Sequence, residues 1–552
     1  MGADYEQDEP EFLPLEIDRT LLNPSQRSRY TSTEDSHEPE WIRAYWLGFG
    51  MFLILAAFWL LDTLKEPTFG SLVAGNLDHH LPIAKLVSVA ATLVLVCCVE
   101  YLSNRHDLEM RQSTLQEKEV SEGPETWSTM NVATTSTNFD RLSYHSDITD
   151  DPLSSRIFLY VCIPYCIIFA IMASLLQFNP LVALTDPAKD LNATTTYWNV
   201  VGYCWFAAVE SFGSIAVATF WSFCNSNLSL HDAERFYGII IALAQLGAIL
   251  GSTMVTTRIW TSITLIVLAC LIIVLHVIVM RIYSRRYPST SDVPQEPTED
   301  DNDTDGDSFW TGIYHIVGNN YVILIMGASC LYEVSLTCLD YQLKLLGYSR
   351  FEESDHKMSF KQFMGHYGQL VNVSSLFISS IIFPRFIQRF GLRITIRLFP
   401  TLLLVINVLT FGAIPGNLTV LFLSMSLLKA MTYSMHDPAK EILYIPTSNS
   451  IKLKSKFWID VVGARVAKAI GSTINKMAGS VDRSIRVASA PSLLTAALLW
   501  WVCYRVGEQF DDLVASGTVV GAKKQELNSL DRSQFRPVDT YEDEKDDDAQ
   551  SS

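Results

Sequence analysis

The stretch SDVPQEPTEDDNDTDGD, residues 291–307, divides the chain in two. Residues 288–307 hold eight acids, no base and three prolines. Such a run buries no apolar surface and repels itself, so it reads as a disordered connection. On either side of it the chain is apolar in runs of about 20 residues, each long enough to cross a bilayer. Six precede it, at about 44–63, 82–101, 156–176, 198–222, 236–256 and 259–281. Six follow it, at about 319–339, 367–387, 395–413, 416–435, 459–479 and 486–505. The expected fold is an all-α polytopic membrane protein of about twelve transmembrane helices. Its 6+6 layout is that of transporters with two six-helix halves, with solute bound between them.

Of the 552 residues 49% are hydrophobic and 18% charged. The net charge of −18 is unevenly spread. Residues 1–43 carry −7, residues 105–155 carry −6, residues 288–307 carry −8 and residues 506–552 carry −7. The remaining, mostly apolar, part is therefore cationic by ten charges. A cationic membrane portion suits an anionic solute, although basic residues in short loops also serve as orientation signals. The ten cysteines are scattered, with no CxxC and no Cys/His cluster, so no metal or other cofactor is expected. There is no GxxxxGK[ST] phosphate loop and no nucleophile elbow, which argues against an enzyme. No nucleic-acid partner is expected, and the oligomeric state stays open.

An even number of spans puts both termini on one side. RIYSRR (281–286), RFIQRFGLRITIR (385–397) and KLKSK (452–456) all fall on that side. By the positive-inside rule it is the cytosol. The expected organisation is an acidic tail 1–43, a six-helix half 44–281 with an acidic insert at 105–155, a central loop 282–319, a second half 320–505 and an acidic tail 506–552. The start of the chain is acidic and lacks the features of a signal or transit peptide, which favours a plasma or internal membrane over a plastid. Asn192-Ala-Thr194, in an opposite-side loop, is a glycosylation sequon. Leu21-Leu22 behind Asp18 has the form of an acidic dileucine signal.

Charges inside apolar runs are costly and point to a polar pathway. In IDVVGARVAKAIGSTINK (459–476), Asp460, Ala464, Lys468 and Ser472 recur every four residues, one stripe of a helix. Gly463, Ala467 and Gly471 form a second, small-residue stripe where a neighbour can approach closely. Lys468 sits near mid-span. Lys85 in PIAKLV, Glu210 in AAVESFGS and Glu333 in CLYEVSL are placed in the same way, with Thr337 and Asp340 on the face of Glu333. The expected pathway draws on these two lysines and two glutamates, and the carboxylates are expected to hold the lysines in ion pairs when no solute is bound. Asp62, Lys65 and Glu66 read as a boundary cluster at the end of the first span. In YSMHDPAKEILYIP (433–446) Asp437 reads as the cap of a new short helix with Pro438 at its first position. Asp437, Lys440, Glu441, Asp460 and Arg465 form an expected gate or helix-cap cluster, with Lys440 interfacial.

The block YSMHDPAKEILYIPTSNSIKLKSKFWIDVVGARVAKAIGS (433–472) resembles the ATP/ADP translocase family, the nucleotide transporters of plastids and obligate intracellular bacteria. LKEPTFG, PIAKLV, VESFGSIAVATFWSFCN, AERFYG and YEVS add weaker matches, so the resemblance covers roughly 44–505. It implies a 6+6 major-facilitator-like bundle that exchanges ATP and ADP, or related nucleotides, across a membrane. It also implies substrate contacts at Lys85, Glu210, Glu333 and Lys468. Two places depart from the family's pattern. Leu336 and Thr337 stand where a Trp-Lys pair is common, and Ser211 stands where a Trp follows the glutamate. The competing readings are a transporter of another anionic solute and a non-transporting membrane sensor or scaffold.

Overall fold

The computed structural model describes residues 40–73, 76–96, 153–178, 191–228, 230–287, 311–352, 358–448 and 451–521. The acidic stretches 1–39, 105–152, 288–310 and 522–552, with Leu21 and Leu22, lie outside the described residues. The rest is helix. The first group comprises α1 (Glu40–Leu72), α2 (Leu77–Val96), α3 (Leu153–Gln177), α4 (Leu191–Asn227), α5 (Leu230–Thr256) and α6 (Ser262–Arg286). A short helix, Thr311–Gly318, leads into α7 (Asn320–Glu352). The run Phe360–Ala413 bends at Gly391, whose φ is 72°, a value that suits glycine. The bend separates α8 (360–390) from α9 (392–413). Next come α10 (Leu418–Leu443), α11 (457–478) and α12 (Val481–Ser516).

Among the described residues ten helical runs are long and apolar enough to cross a membrane, and one of them is the bent 54-residue run that holds α8 and α9. The eleventh helix is not among them because it carries Asp460, Arg465, Lys468 and Lys476. The expected helices are thus all present, most of them longer than their apolar runs. At 33 residues α1 is about 50 Å long by the helical rise. It continues through Pro67, so Asp62, Lys65 and Glu66 lie within a helix rather than at a boundary. Asn192, placed in a loop by its sequence, belongs to the first turn of α4.

Two apolar cores follow the two groups of helices. One draws on residues between Ala44 and Tyr283, with Tyr341 and Leu345 added; the other on residues between Ile316 and Val506, with Trp59 and Ala248 added. Small residues let the helices approach closely. A Cβ on Gly247 or Gly251 of α5 would collide with the carbonyl oxygens of Phe52 and Ala56 on α1. Backbone offers no flexible atom to move aside, so Gly251→Leu is expected to destabilise the first core by about 1–3 kcal/mol or more. Thermal unfolding in detergent checks this; an unchanged midpoint would contradict such close packing of α1 on α5.

The expected helix cap at Asp437 is corrected. Residues 432–436 form a π turn within α10, and the helix continues to Leu443. His436 stands at the cap position in helical geometry, with no side-chain cap bond. The wide turn passes Pro438, which has no N–H and would crowd the carbonyl one turn back in a regular α-helix. A second π turn, Phe457–Gly463, opens α11. Beyond α12 the chain folds back: Val520 N donates to Pro446 O at 2.9 Å and Ser448 N donates to Val520 O at 2.9 Å.

The two groups of helices meet tightly at the end that bears Val73, Asn76 and the turn 257–261. Tyr341 Oη donates to Asp78 O at 2.7 Å, Lys361 Nζ to Trp260 O at 2.6 Å and Gln362 Nε2 to Thr256 O at 3.0 Å. Gly365 of α8 lies so close to Thr256 that a Cβ would sit 2.9 Å from its backbone nitrogen. Gly368 faces Thr63 and Ser252 in the same way. This end is sealed.

Candidate substrate site

From the seal a cavity of about 1070 Å³ runs between the two groups of helices. Its lining changes along its length. At the sealed end it is charged, with Lys65, Glu66, Lys85, Asp340 and Lys344. Toward the other end it turns apolar and aromatic, with Met51, Val217, Trp221, Ile241, Leu376 and Phe383. Gly238 lies at this second end, where an added Cβ would meet open space.

All four expected pathway residues line this one cavity: Lys85 on α2, Glu210 on α4, Glu333 on α7 and Lys468 on α11. Their pairing is only partly the expected one. Lys468 Nζ lies 3.5 Å from Glu333 Oε1. Glu210 is taken instead by Lys65, at 2.6 Å, and lies 3.8 Å from Arg465. Lys85 is taken by Asp340, at 2.6 Å. The cause is the length of α1 and α7. Both run past their apolar segments and carry further charges into the space between Glu210 and Lys85.

Those charges join into a chain. Asp340 bridges Lys85 and Lys344, the latter at 2.8 Å. Lys344 reaches Glu66 at 2.5 Å, and Glu66 lies 3.7 Å from Lys65. Lys65 binds Asp62 and Glu210, each at 2.6 Å. Arg465 contacts both Glu210 and the hydroxyl of Ser214. Ion pairs therefore run unbroken from α2 through α7, α1 and α4 to α11, and they cross between the two groups of helices three times. Lys65 is 3% exposed, its ammonium 5.0 Å from the Phe206 ring centre. A cation this buried is tolerated because it has several carboxylate partners.

The expected gate cluster is met in part: Asp460 lies within electrostatic reach of Asp437, Lys440 and Glu441, and Arg465 stands apart from them. Asp437 pairs with Lys440 at 2.9 Å and lines the cavity. Lys440 is not interfacial: its side chain is 12% exposed and its ammonium lies 5.3 Å from the Tyr332 ring centre. Glu441 instead reaches Lys456, at 2.6 Å. Arg465 belongs to the cavity network. Asp460 is absent from the lining although Lys468 is in it. The π turn at 457–463 breaks the four-residue stripe, because each wide turn holds more residues than an α turn. The small-residue stripe survives: a Cβ on Gly471 would meet Thr337 Cβ at 2.8 Å, and one on Gly463 would meet Cys330 Sγ at 2.7 Å. Thr337 thus fills the close contact between α7 and α11, and Leu336 beside it lines the cavity.

The lining holds six carboxylates, Asp62, Glu66, Glu210, Glu333, Asp340 and Asp437, and six cations, Lys65, Lys85, Lys344, Lys429, Arg465 and Lys468. The cationic excess read from the sequence therefore does not lie in the cavity itself. Asp340 was legible on the face of Glu333. Lys65, Glu66 and Lys344 were missed as site residues because they stand beyond the apolar runs. Lys429 was missed although it gives the signal of Lys468, a lysine well inside an apolar run. Among the described residues no His, Cys, Asp and Glu are grouped to hold a metal ion.

Comparison with known proteins gives a consistent result. The family described as TLC ATP/ADP transporter matches residues 153–507. ADP,ATP carrier protein 1 of Chlamydia muridarum is 24% identical over 427 residues, covering 67% of this chain and 78% of the relative. ADP,ATP carrier protein 1 of Chlamydia pneumoniae is 23% identical over 379 residues, covering 58% and 70%. Among solved structures, a bacterial homologue of the iron transporter ferroportin in an inward-facing state superposes with a TM-score of 0.53 at 14% identity. It covers 84% of this chain and 100% of its own, a likeness of fold.

Proposed function

Because the chain belongs to the TLC ATP/ADP transporter family, we propose that it is an antiporter exchanging ATP for ADP, or related nucleotides, across its membrane. The observation that carries this reading is the continuous ion-pair chain in the cavity, which joins the two groups of helices. Lys85, Lys468 and Arg465 are the cations that a polyphosphate engages. Glu210, Glu333 and Asp340 hold these cations while the site is empty. Phosphates compete with the carboxylates, open the pairs and free residues 44–281 to rock against 320–505. An empty carrier is held by its own pairs, so exchange is favoured over net flow. The sealed end is the non-cytosolic one, and both termini are cytosolic. The process is transport, with no catalytic step.

Vesicles preloaded with labelled nucleotide test the reading. Wild-type efflux is expected to require nucleotide outside. Glu210→Gln leaves Lys65 with Asp62 and frees Arg465, and is expected to weaken that requirement by roughly tenfold, the effect of about 1.4 kcal/mol of lost coupling. Efflux that ignores the outside solution in the wild type would sink obligate exchange. A Glu210→Gln variant identical to wild type would sink the ion-pair coupling.

The even balance of charge in the lining favours one alternative, a less highly charged anion on the same scaffold. Competition against labelled ATP by adenosine, AMP, ADP and inorganic phosphate separates the two. ATP and ADP compete best under the first reading, AMP or phosphate under the second.

A further inference from the structure

One cation in the cavity belongs to no ion pair. Lys65, Lys85, Lys344, Arg465 and Lys468 each lie within 4.0 Å of a carboxylate. Lys429, on α10, makes no salt bridge among the described residues, yet it lines the same cavity. Its ammonium rests 5.9 Å from the ring centre of Tyr433, one turn on. Tyr433 lines the cavity as well and meets Trp59 of α1 edge-to-face, with ring centres 6.2 Å apart.

The charge balance makes this isolation informative. Asp437, a lining acid, is neutralised by Lys440 from behind the cavity wall. The five lining acids that remain are shared among the five paired lining cations. Lys429 is thus the surplus charge. Two carboxylates, Asp340 and Glu333, act on it from beyond ion-pair distance, and both are already held by Lys85, Lys344 and Lys468, which leaves the ammonium without a close anion in a site walled by low-dielectric protein. An aromatic face compensates only in part. The missing partner is an anion that enters and leaves.

We infer that Lys429 is the seat of a substrate phosphate group, and the first cation an incoming nucleotide engages. It needs no carboxylate displaced before it can bind, whereas every other lining cation does. Tyr433 holds the ammonium toward the cavity, and Trp59 braces Tyr433 from the other group of helices. Binding at Lys429 then brings the remaining phosphates within reach of the paired cations. This assignment rests on the nucleotide-transport reading and goes beyond it by naming the anchoring residue.

The test is ligand-induced thermal stabilisation of purified protein, with ATP and adenosine as probes, for wild type, Lys429→Gln and Lys429→Arg. Wild type is expected to be stabilised by ATP well beyond adenosine. Lys429→Gln is expected to lose most of that difference, and Lys429→Arg to regain it. A Lys429→Gln protein that keeps the full difference overturns the assignment while leaving nucleotide transport standing. A wild type that ATP does not stabilise overturns both. The second measurement needs no variant: amine acylation of the wild type, read by mass spectrometry. Lys429 is expected to be labelled in the empty protein and protected by ATP but not by adenosine; equal labelling in all three conditions overturns the assignment even if Lys429→Gln fails to fold.

Discussion

Replacing Lys85 by alanine is expected to abolish exchange, and reversing its pair is expected to restore part of it. Lys85 and Asp340 lie on different groups of helices, 2.6 Å apart, both largely buried. Removing one member of a buried pair costs about 3–5 kcal/mol, because the other is left without its partner. Here Asp340 keeps Lys344 at 2.8 Å, so the protein is expected to fold. What it loses is the link from α2 to α7 at the sealed end. Uptake of labelled ATP by bacteria expressing Lys85→Ala is expected to fall at least roughly a hundredfold, the effect of about 2.7 kcal/mol. The double exchange Lys85→Asp with Asp340→Lys keeps both charges but swaps their places. It is expected to recover at least about a tenth of wild-type uptake if pairing is what matters. If the double exchange is as dead as each single change, the two residues act separately on the substrate and not as a latch.

Wedging the seal is the second expected large effect. Gly368 faces Thr63 of α1 and Ser252 of α5, where a Cβ would stand 2.5 and 2.9 Å from their side chains. Gly368→Leu inserts four carbons where there is room for none. Packed side chains do not deform continuously, so α8 must stand off from α1 and α5. The seal then fails to close, while the charged lining, which begins beside Thr63 at Asp62 and Lys65, keeps its cations. Nucleotide exchange is expected to drop by roughly tenfold or more, while ATP still stabilises the purified variant against heat. Loss of both together would mean that the substitution damages the site itself. Normal exchange would mean that this end is not a moving seal.

Much of the bundle was legible in the sequence because the bilayer sets helix length through hydropathy alone. The acidic segment at 291–307 separated two sets of six without any knowledge of contacts. Lys468, Lys85, Glu210 and Glu333 were legible for the same reason: a charge inside an apolar run has no cheap explanation. What failed were inferences that continued a pattern past a change of geometry. Asp460 was placed on the stripe of Lys468 by counting fours, and the π turn at 457–463 breaks that count. Asp62, Lys65 and Glu66 seemed to end the first span, because charges at the end of an apolar run normally mark the interface. Here α1 runs on to Leu72, and neighbouring helices supply the polar partners that water would otherwise supply. Pairing was the least legible level. Which carboxylate meets Lys85 depends on where α7 crosses α2, and no local pattern encodes that crossing.

The charges of the cavity lining drop out of the electrical balance of a complete exchange. Six acids face six cations, with Lys440 compensating Asp437 from outside the cavity. The protein's own charge moves forward on one half-cycle and back on the other, so it cancels over a complete exchange. Under the proposed exchange the carried nucleotides do not cancel, because ATP bears one more negative charge than ADP. That difference is the net charge moved per complete exchange, whatever the lining carries, and the membrane potential acts on it. Each 100 mV then biases the exchange by about 2.3 kcal/mol, close to fiftyfold. Across a membrane that is negative on the cytosolic side, this bias drives ATP outward and ADP inward. A cell running such an exchanger as an ATP importer has to do so against its own voltage, on the strength of the nucleotide gradients alone.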